Sequence, residues 1–413
     1  MRKGGKLEGW KVEKLGDVCD IVNGSTPLRS NKSFWENGNI SWFTIDDIRT
    51  QGRTITETKQ KVTQTALEES SLRMLPINSV LLCCTASIGE YAITEIPLAT
   101  NQQFNGLVVK NQKLLSPYFL FHYCATLKDK LLNLSGKTTI DFIPISRLRE
   151  IEIPTPPLPE QQRIVSVLDE AFSSIAQAKS NAERNLVNVR ELFDSYVGNI
   201  FAKSSEEWEE KKLGDKSIIE IIDNDRGVNY PKKSDFHPEG YCLFMNTKNV
   251  RPDGFDFTTT MFITEKKDKA LGKGKLSRND VVMTTRGTIG NLGVYNDEVP
   301  FEQIRTNSGM LIFRPNLKYI VPEYLFEILR SGIIKSQITK HVSGAAQPQL
   351  PIKTLVNFTF PLPKSLAEQR AIVGRLEALS AETGRLEEIY QQKVESLEAL
   401  KKSVLAKAFE GEL

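Results

Sequence analysis

Histidine is nearly absent: 413 residues hold three (His122, His237, His341), and no two stand in an H-x-x-x-H or H-x-x-E-H spacing. Such a chain offers no imidazole set for zinc or iron. Cysteine is scarce as well. Five residues (Cys19, Cys83, Cys84, Cys124, Cys242), odd in number and without a C-x-x-C pair, argue against a disulfide framework and fit reduced thiols. Long apolar runs are missing; Val80 to Cys84 is among the longest, far below the ~20 residues of a membrane-crossing helix. The basic start (Arg2, Lys3, Lys6) leads into no apolar segment, so we expect a cytoplasmic protein with no membrane partner. An excess of one charge is also lacking, with 54 Lys+Arg against 51 Asp+Glu and a net charge of +3. Any face that binds nucleic acid therefore has to be local. What remains is ordinary globular material, 40% hydrophobic and 25% charged, long enough for two or three domains.

The dominant positive feature is a duplication. Trp10-x-x-x-Lys14-Leu15-Gly16-Asp17 returns as Trp208-x-x-x-Lys212-Leu213-Gly214-Asp215. Asn78-x-Val80-Leu81-Leu82 and Ile88-Gly89 return as Asn279-x-Val281-Val282-Met283 and Ile289-Gly290. Thr100-Asn101 matches Thr306-Asn307, Ser135-Gly136 matches Ser343-Gly344, and Pro144-Ile145 matches Pro351-Ile352. Glu160-Gln161 with Ile164-Val165 matches Glu368-Gln369 with Ile372-Val373, and from there the offset is constant through Phe201 and Phe409. Before that point it drifts by about ten residues. Loops absorb insertions cheaply, whereas a helix that gains one residue turns everything beyond it by about 100°.

The constant segments read as helices over 160–202 and 367–410. Leu168, Phe172, Ile175, Ala182, Leu186, Val189, Phe193, Tyr196 and Ile200 follow a three-four apolar spacing, as do Leu376, Leu379, Leu386, Leu397, Leu400 and Val404. Lys179 and Lys393 interrupt these seams. Proline-rich stops (Pro154 to Pro159, Pro361 to Pro363) precede both helices and suit a strand exit and a helix start. Each helix would be roughly 60 Å long. Neither can cover its apolar stripe alone, and the equivalent helix of the other copy is the economical partner. The segments ahead of them read as α+β. β-rich runs are expected at Ile40 to Ile45, Ser79 to Cys84, Gly106 to Val109, Tyr241 to Met245, Asp280 to Thr284 and Met310 to Phe313. Helices are expected around 117–133 and 322–340. The domain expectation is two similar globular domains, 1–158 and 204–365, and two spacer helices, 159–203 and 366–413, in a pseudo-two-fold internal repeat.

Two stretches imitate catalytic motifs. Ser135-Gly136-Lys137-Thr138-Thr139 ends like a phosphate-binding loop, but Leu131 stands where G-x-x-x-x-G-K-[ST] needs its first glycine, and the second copy has no lysine. Pro252-Asp253 with Glu265-Lys266-Lys267 imitates an acidic-lysine nuclease signature, yet the first copy has only Glu57-Thr58-Lys59 with no Pro-Asp before it, so a solvated charge run is the better reading. There is no glycine-rich S-adenosylmethionine loop, no Asn-Pro-Pro-aromatic motif and no nucleophile-base set. No cofactor and no catalysis are expected.

The W-x-x-x-KLGD opening, the Leu158-Pro-Glu-Gln-Gln-Arg-Ile-Val165 helix start and the ending Ala408-Phe-Glu-Gly-Glu-Leu413, arranged in duplicate, resemble specificity subunits of Type I restriction-modification systems over essentially the whole chain. The resemblance implies two target recognition domains that each read half of a split sequence in double-stranded DNA, spaced by an antiparallel coiled coil. It further implies docking of two methyltransferase subunits on the helices, and of restriction subunits through them. Half-sites about one helical turn apart, roughly 34 Å, fit beside helices of that length.

Base reading needs paired donors and acceptors, with hydroxyls and lysines holding phosphates. Three loops per copy offer them. The candidates are Thr85 and Ser87; Asn101, Gln102 and Gln103; and Lys137 and Thr138 in the first copy. In the second they are Thr284, Arg286 and Thr288; Asn307; and Ser343, Gln347 and Gln349. For each, a turn residue that satisfies its own backbone is the competing reading. Two other functions stay open at this level: an adaptor joining two protein-binding domains, and an autonomous nuclease.

Overall fold

The computed structural model describes residues 9–134, 142–202, 208–252, 254–341 and 349–413. The architecture is α+β, and packing divides the chain into two units, Met1–Ala182 with Gln392–Leu413, and Glu183–Gln391.

In the first unit a five-stranded sheet runs Cys19–Asn23, Phe104–Val109, Val80–Cys83, Tyr91–Thr94, Thr54–Ile55, and a three-stranded sheet runs Gln60–Val62, Ile40–Phe43, Ala99–Thr100. Val80, Leu82 and Leu107 face helix Pro117–Cys124 through Phe119, Leu120 and Cys124, while Leu81, Cys83 and Phe104 pack on Phe43 and Ile55. In the second unit a four-stranded sheet runs Ile219–Ile222, Met310–Pro315, Val281–Thr284, Leu292–Val294, with a three-stranded sheet Phe262–Ile263, Cys242–Met245, Ile304–Thr306 beside it. The six β-rich runs of the sequence all contain strands. Each expected single helix is two: Pro117–Cys124 and Lys128–Leu134, then Pro322–Arg330 and Gly332–His341.

The tryptophan openings are strands, which composition alone does not suggest. Lys11–Lys14 pairs antiparallel with Glu152–Thr155, and Trp208–Lys212 with Thr359–Pro363, so each domain is closed by tying its first residues to the strand that enters the long helix. Prolines are tolerated there because a two-stranded ribbon leaves one edge unpaired. The glycine of KLGD has a packing cause. A Cβ on Gly16 would lie 2.8 Å from Arg149 Cβ, and one on Gly214 2.7 Å from the Val356 carbonyl oxygen.

The helix starts are fixed by a buried amide. Gln161 is fully buried; its Nε2 donates to the carbonyls of Leu114 and Pro156, both at 2.8 Å, and its Oε1 accepts from the Ser116 amide at 2.8 Å. Gln369, also fully buried, repeats this with Tyr319, Pro363 and Val321 at 2.9, 2.9 and 2.8 Å. One buried side chain thus satisfies three backbone groups at each helix start. The repeated glutamine is therefore structural.

Both long helices are unbroken, Leu158–Ala202 and Leu366–Glu410. Within the first unit they pair antiparallel: Arg163 donates to the Leu413 carbonyl, Lys401 lies 5.0 Å over the Phe172 ring, and Lys179 bonds Glu398 at 2.5 Å. Within the second, Arg190 reaches Glu387 at 3.2 Å, and Val197, Phe201, Ile372, Val373 and Leu376 share one core. Leu168, Ile175, Val189 and Leu376 are buried, and Leu186, Phe193, Leu379, Leu386, Leu397 and Val404 are half-buried. Leu400 departs from the expected seam at 48% exposure, because Lys401, one residue and about 100° on, faces the partner helix instead. Tyr196 is likewise exposed, and Val197 takes the inward place.

All five cysteines are buried and unpaired. Burial pushes Cys19 and Cys242 up to about 12 and Cys84 to about 11, so these thiols stay protonated. No helix among the described residues is long and apolar enough to cross a membrane.

Candidate nucleic-acid interface

In each copy, strand Val80–Cys83 or Val281–Thr284 runs out into a loop with positive φ at matching positions. Ala86 and Gly287 both sit in the left-handed region (φ 61° and 76°), as do Gly89 and Gly290 (86° and 92°) and, at the strand start, Asn78 and Asn279 (63° and 75°). The repeated Asn and Gly thus mark positive-φ positions, which those residues accept most readily. Ala86 occupies one without that freedom.

The loops converge by backbone hydrogen bonds. Cys84 N donates to the Gln103 carbonyl at 2.9 Å, Ile143 N donates to the Cys84 carbonyl at 3.0 Å, and Thr85 bridges Phe142. In the second copy Thr285 N reaches the Gly309 carbonyl at 2.8 Å, Leu350 N reaches Thr285 at 3.0 Å, and Arg286 bridges Gln349. A Cβ placed on Gly309 would meet Thr247, Asn307 and Arg286, so these side chains ring one spot. Arg286, Thr288, Gln349 and Gln102 are exposed, and Thr85, Ser87 and Gln103 half-buried.

Three candidates have other work. Asn101 and Asn307 close their own turns: Asn101 Oδ1 accepts from Gln103 N at 3.1 Å, Asn307 Oδ1 from Gly309 N at 2.9 Å. Thr284 is fully buried, with its hydroxyl accepting from Asn291 N at 3.0 Å. Lys137, Thr138, Ser343 and Gln347 lie outside the described residues. Arg305, in strand Ile304–Thr306 just before Asn307, is buried on Asp268 at 2.6 Å and on three backbone carbonyls. Burial pulls the Asp268 carboxyl upward, but hydrogen bonds from Lys275 and Arg305 outweigh it and hold it below the usual carboxylate range.

Sequence reading missed a fourth loop. Residues 24–30 lie against the 100–103 turn: Ser25 N donates to the Thr100 carbonyl at 2.9 Å and Thr26 Oγ1 donates to Gln102 Oε1. Residues 224–230 lie likewise against 305–309, Asn224 bonding Thr306 and the Met310 carbonyl. Both follow the first sheet strand and are rich in turn residues, but Gly24-Ser-Thr-Pro and Asn224-Asp-Arg-Gly share no identity, so comparing the copies does not flag them.

A cleft borders each loop set. One of about 440 Å³ is lined by Arg49, Ala86, Ser87 and Lys128; another of about 360 Å³ by Ile289, Gly290, Arg330 and Lys335. The nuclease-like charges pair off: Glu265 with Lys269 at 2.8 Å, Lys267 with Asp235 at 3.1 Å, while Asp253 lies outside the described residues. No group of three metal-ligating side chains occurs among the described residues.

The model of the Type I restriction modification DNA specificity domain matches the chain twice, over residues 7–184 and 205–396. The chain belongs to this family. It is 27% identical over 376 residues to the Type I restriction enzyme MjaIX specificity subunit of Methanocaldococcus jannaschii, covering 87% of this chain and 84% of that one. It is 24% identical to the EcoKI specificity subunit of Escherichia coli K12, covering 99% and 90%. Among solved structures, a chain from a type I R-M system described for its complex assembly and conformational transition superposes with a TM-score of 0.80 at 20% identity over all of both chains. The HsdS subunit from Thermoanaerobacter tengcongensis superposes at 0.63, with 20% identity and 98% of each chain. The two family matches are the two copies seen in the sequence, and the solved structures share the fold. The chain is a specificity subunit, the part of a Type I restriction enzyme that confers DNA specificity and is not itself catalytic.

Proposed function

We propose that this specificity subunit reads a bipartite sequence in double-stranded DNA, one half with the loops of each unit, while the paired long helices set the separation and dock methyltransferase subunits and, through them, restriction subunits. One observation carries the reading. The loops after the two strands share left-handed φ at matching positions, while their residues differ, Thr85-Ala86-Ser87 against Arg286-Gly287-Thr288. A fixed scaffold with exchanged donors and acceptors is what two readers of different half-sites require. Arg286, Gln349, Gln102 and Gln103 are the base-reading side chains, joined by Gln347. Thr85, Ser87, Thr288, Lys128, Lys137, Thr138, Ser343 and Lys335 hold phosphates.

Protection mapping of the chain bound to its methyltransferase subunits tests this, and two short protected half-sites are expected. Arg286→Ala should relax base preference in one half only, at a cost of about 1–3 kcal/mol. A continuous footprint, or equal loss in both halves, would remove the assignment. An affinity that ignores ionic strength would point to an adaptor, since phosphate contacts give a steep salt dependence.

A further inference from the structure

The loops that sequence reading missed carry a feature that their neighbours do not explain. Each presents an aliphatic side chain to solvent at its tip: Leu28 is 66% exposed and Val228 is 96% exposed. They occupy corresponding places, five and six residues after the strands Cys19–Asn23 and Ile219–Ile222. Single exposed apolar residues are common on protein surfaces. Here the same exposure recurs in two copies whose loop sequences differ, and the loops lie against the 100–103 turn, which carries Gln102 and Gln103, and the 305–309 turn, whose Gly309 lies beside Arg286.

The backbones beneath the tips are held. The Leu28 carbonyl accepts from Trp35 Nε1 at 3.2 Å and from Asn31 N at 3.1 Å, and the Ser25 carbonyl accepts from Trp42 Nε1 at 3.1 Å. Arg29 lies 3.9 Å over the Trp35 ring and bonds Gln60 at 2.8 Å. In the second copy Tyr230 N closes the turn onto the Gly227 carbonyl at 3.0 Å, and Asn229 Nδ2 anchors it to the Ala270 carbonyl at 3.1 Å. A tip held in this way pays little ordering entropy when it meets a partner.

We propose that Leu28 and Val228 are specificity-determining base contacts, one in each half-site, and that each packs against the 5-methyl group of a thymine in the major groove. This rests on the DNA-reading function proposed above. An aliphatic group cannot bond a phosphate, and the thymine methyl is the apolar group that base-pair edges offer in that groove. The loop that carries it is bonded to Gln102 through Thr26 in the first unit, and in the second the Ser308 amide donates to Tyr230 Oη, two residues beyond Val228, at 3.5 Å.

The test is selection from randomised duplexes with the full chain bound to its methyltransferase subunits, for wild type, Leu28→Ser and Val228→Ser. Both side chains are exposed, so thermal unfolding should match wild type. Wild type should yield a two-part motif, and each variant should lose its preference for thymine at one position of one half. Affinity for the selected duplex should fall about five-fold, the effect of one or two methyl groups. The salt slope should not change, whereas losing a phosphate contact would lower it by about one. Replacing that thymine by deoxyuridine should cost wild type the same factor and Val228→Ser nothing more. Unchanged motifs would overturn the proposal and leave the tips for a protein partner, as would losses shared by both halves or deoxyuridine and serine effects that multiply. A wild-type complex that selects no motif would instead defeat the DNA-reading function itself, before any variant is compared.

Discussion

Replacing Gln161 by leucine probes the feature that makes the repeated helix start recognisable. The change keeps the volume roughly constant but removes one acceptor and two donors from a fully buried site, stranding the Leu114 and Pro156 carbonyls and the Ser116 amide. An unsatisfied buried polar group costs about 1–3 kcal/mol. With partial relaxation of the three groups the loss is about 3 kcal/mol, more than a hundred-fold in the folding equilibrium at 1.4 kcal/mol per factor of ten. For a unit of some 200 residues this lowers Tm by about 9 °C. Scanning calorimetry of the full chain should show the first unit melting early while the second is unmoved, with Gln369→Leu giving the reverse. Hydrogen exchange locates the effect, since the Ser116 amide should lose its protection in the first variant and Val321 in the second. A variant that melts within about 1 °C of wild type, with Ser116 still protected, would refute the reasoning, because the amide would then not be bridging the three groups.

Three further outcomes follow from the same geometry. Ala86 holds φ 61° where its counterpart is Gly287, so Ala86→Gly should stabilise the first unit by about 1 kcal/mol; a lower midpoint in urea would contradict that strain. His122 has its Nε2 2.8 Å from Asp169 and its Nδ1 buried without a partner, and burial lowers its pKa despite the pull of Asp169. The unfolded chain then takes up the proton first, so this stability is present above the ordinary histidine value, ~6.5, and declines as pH falls through it. Urea midpoints at pH 7.5 and 5.5 should differ less in His122→Gln than in wild type, and an unchanged difference would count against it. Asp268→Asn leaves the buried Arg305 without its counter-charge and should cost about 3–5 kcal/mol, read as a loss of unit-two stability above pH 5; a neutral effect would show the pair to be dispensable.

The duplication, the two unbroken helices and the central strands were legible in the sequence because each repeats a physical period. Apolar residues three and four apart can only serve one face of a helix, and a gapless alignment over more than forty residues tolerates no other reading. The positive-φ positions were present too, as Asn78, Asn279, Gly89 and Gly290, although their meaning became clear only with the backbone angles. Leu400 was misassigned because spacing fixes which residues lie on one stripe but not where a seam turns over a long helix; the contact of Lys401 with Phe172 decides that.

What the sequence determined by itself was the family, the repeat and the segments where variation is allowed. Tertiary structure alone decided which of the polar candidates are exposed and which are held by neighbouring backbone. Asn101, Asn307 and Thr284 have the side chains of base readers, yet each is committed to a neighbouring backbone amide, while Arg286 and Gln349 face outward. The physical reason is that a side-chain oxygen two residues before a backbone amide can close a local turn or stay free, and the packing around the turn decides which. The loops at 24–30 and 224–230 were invisible because they join the site through strand pairing with residues 82 to 96 positions away, which no local pattern encodes.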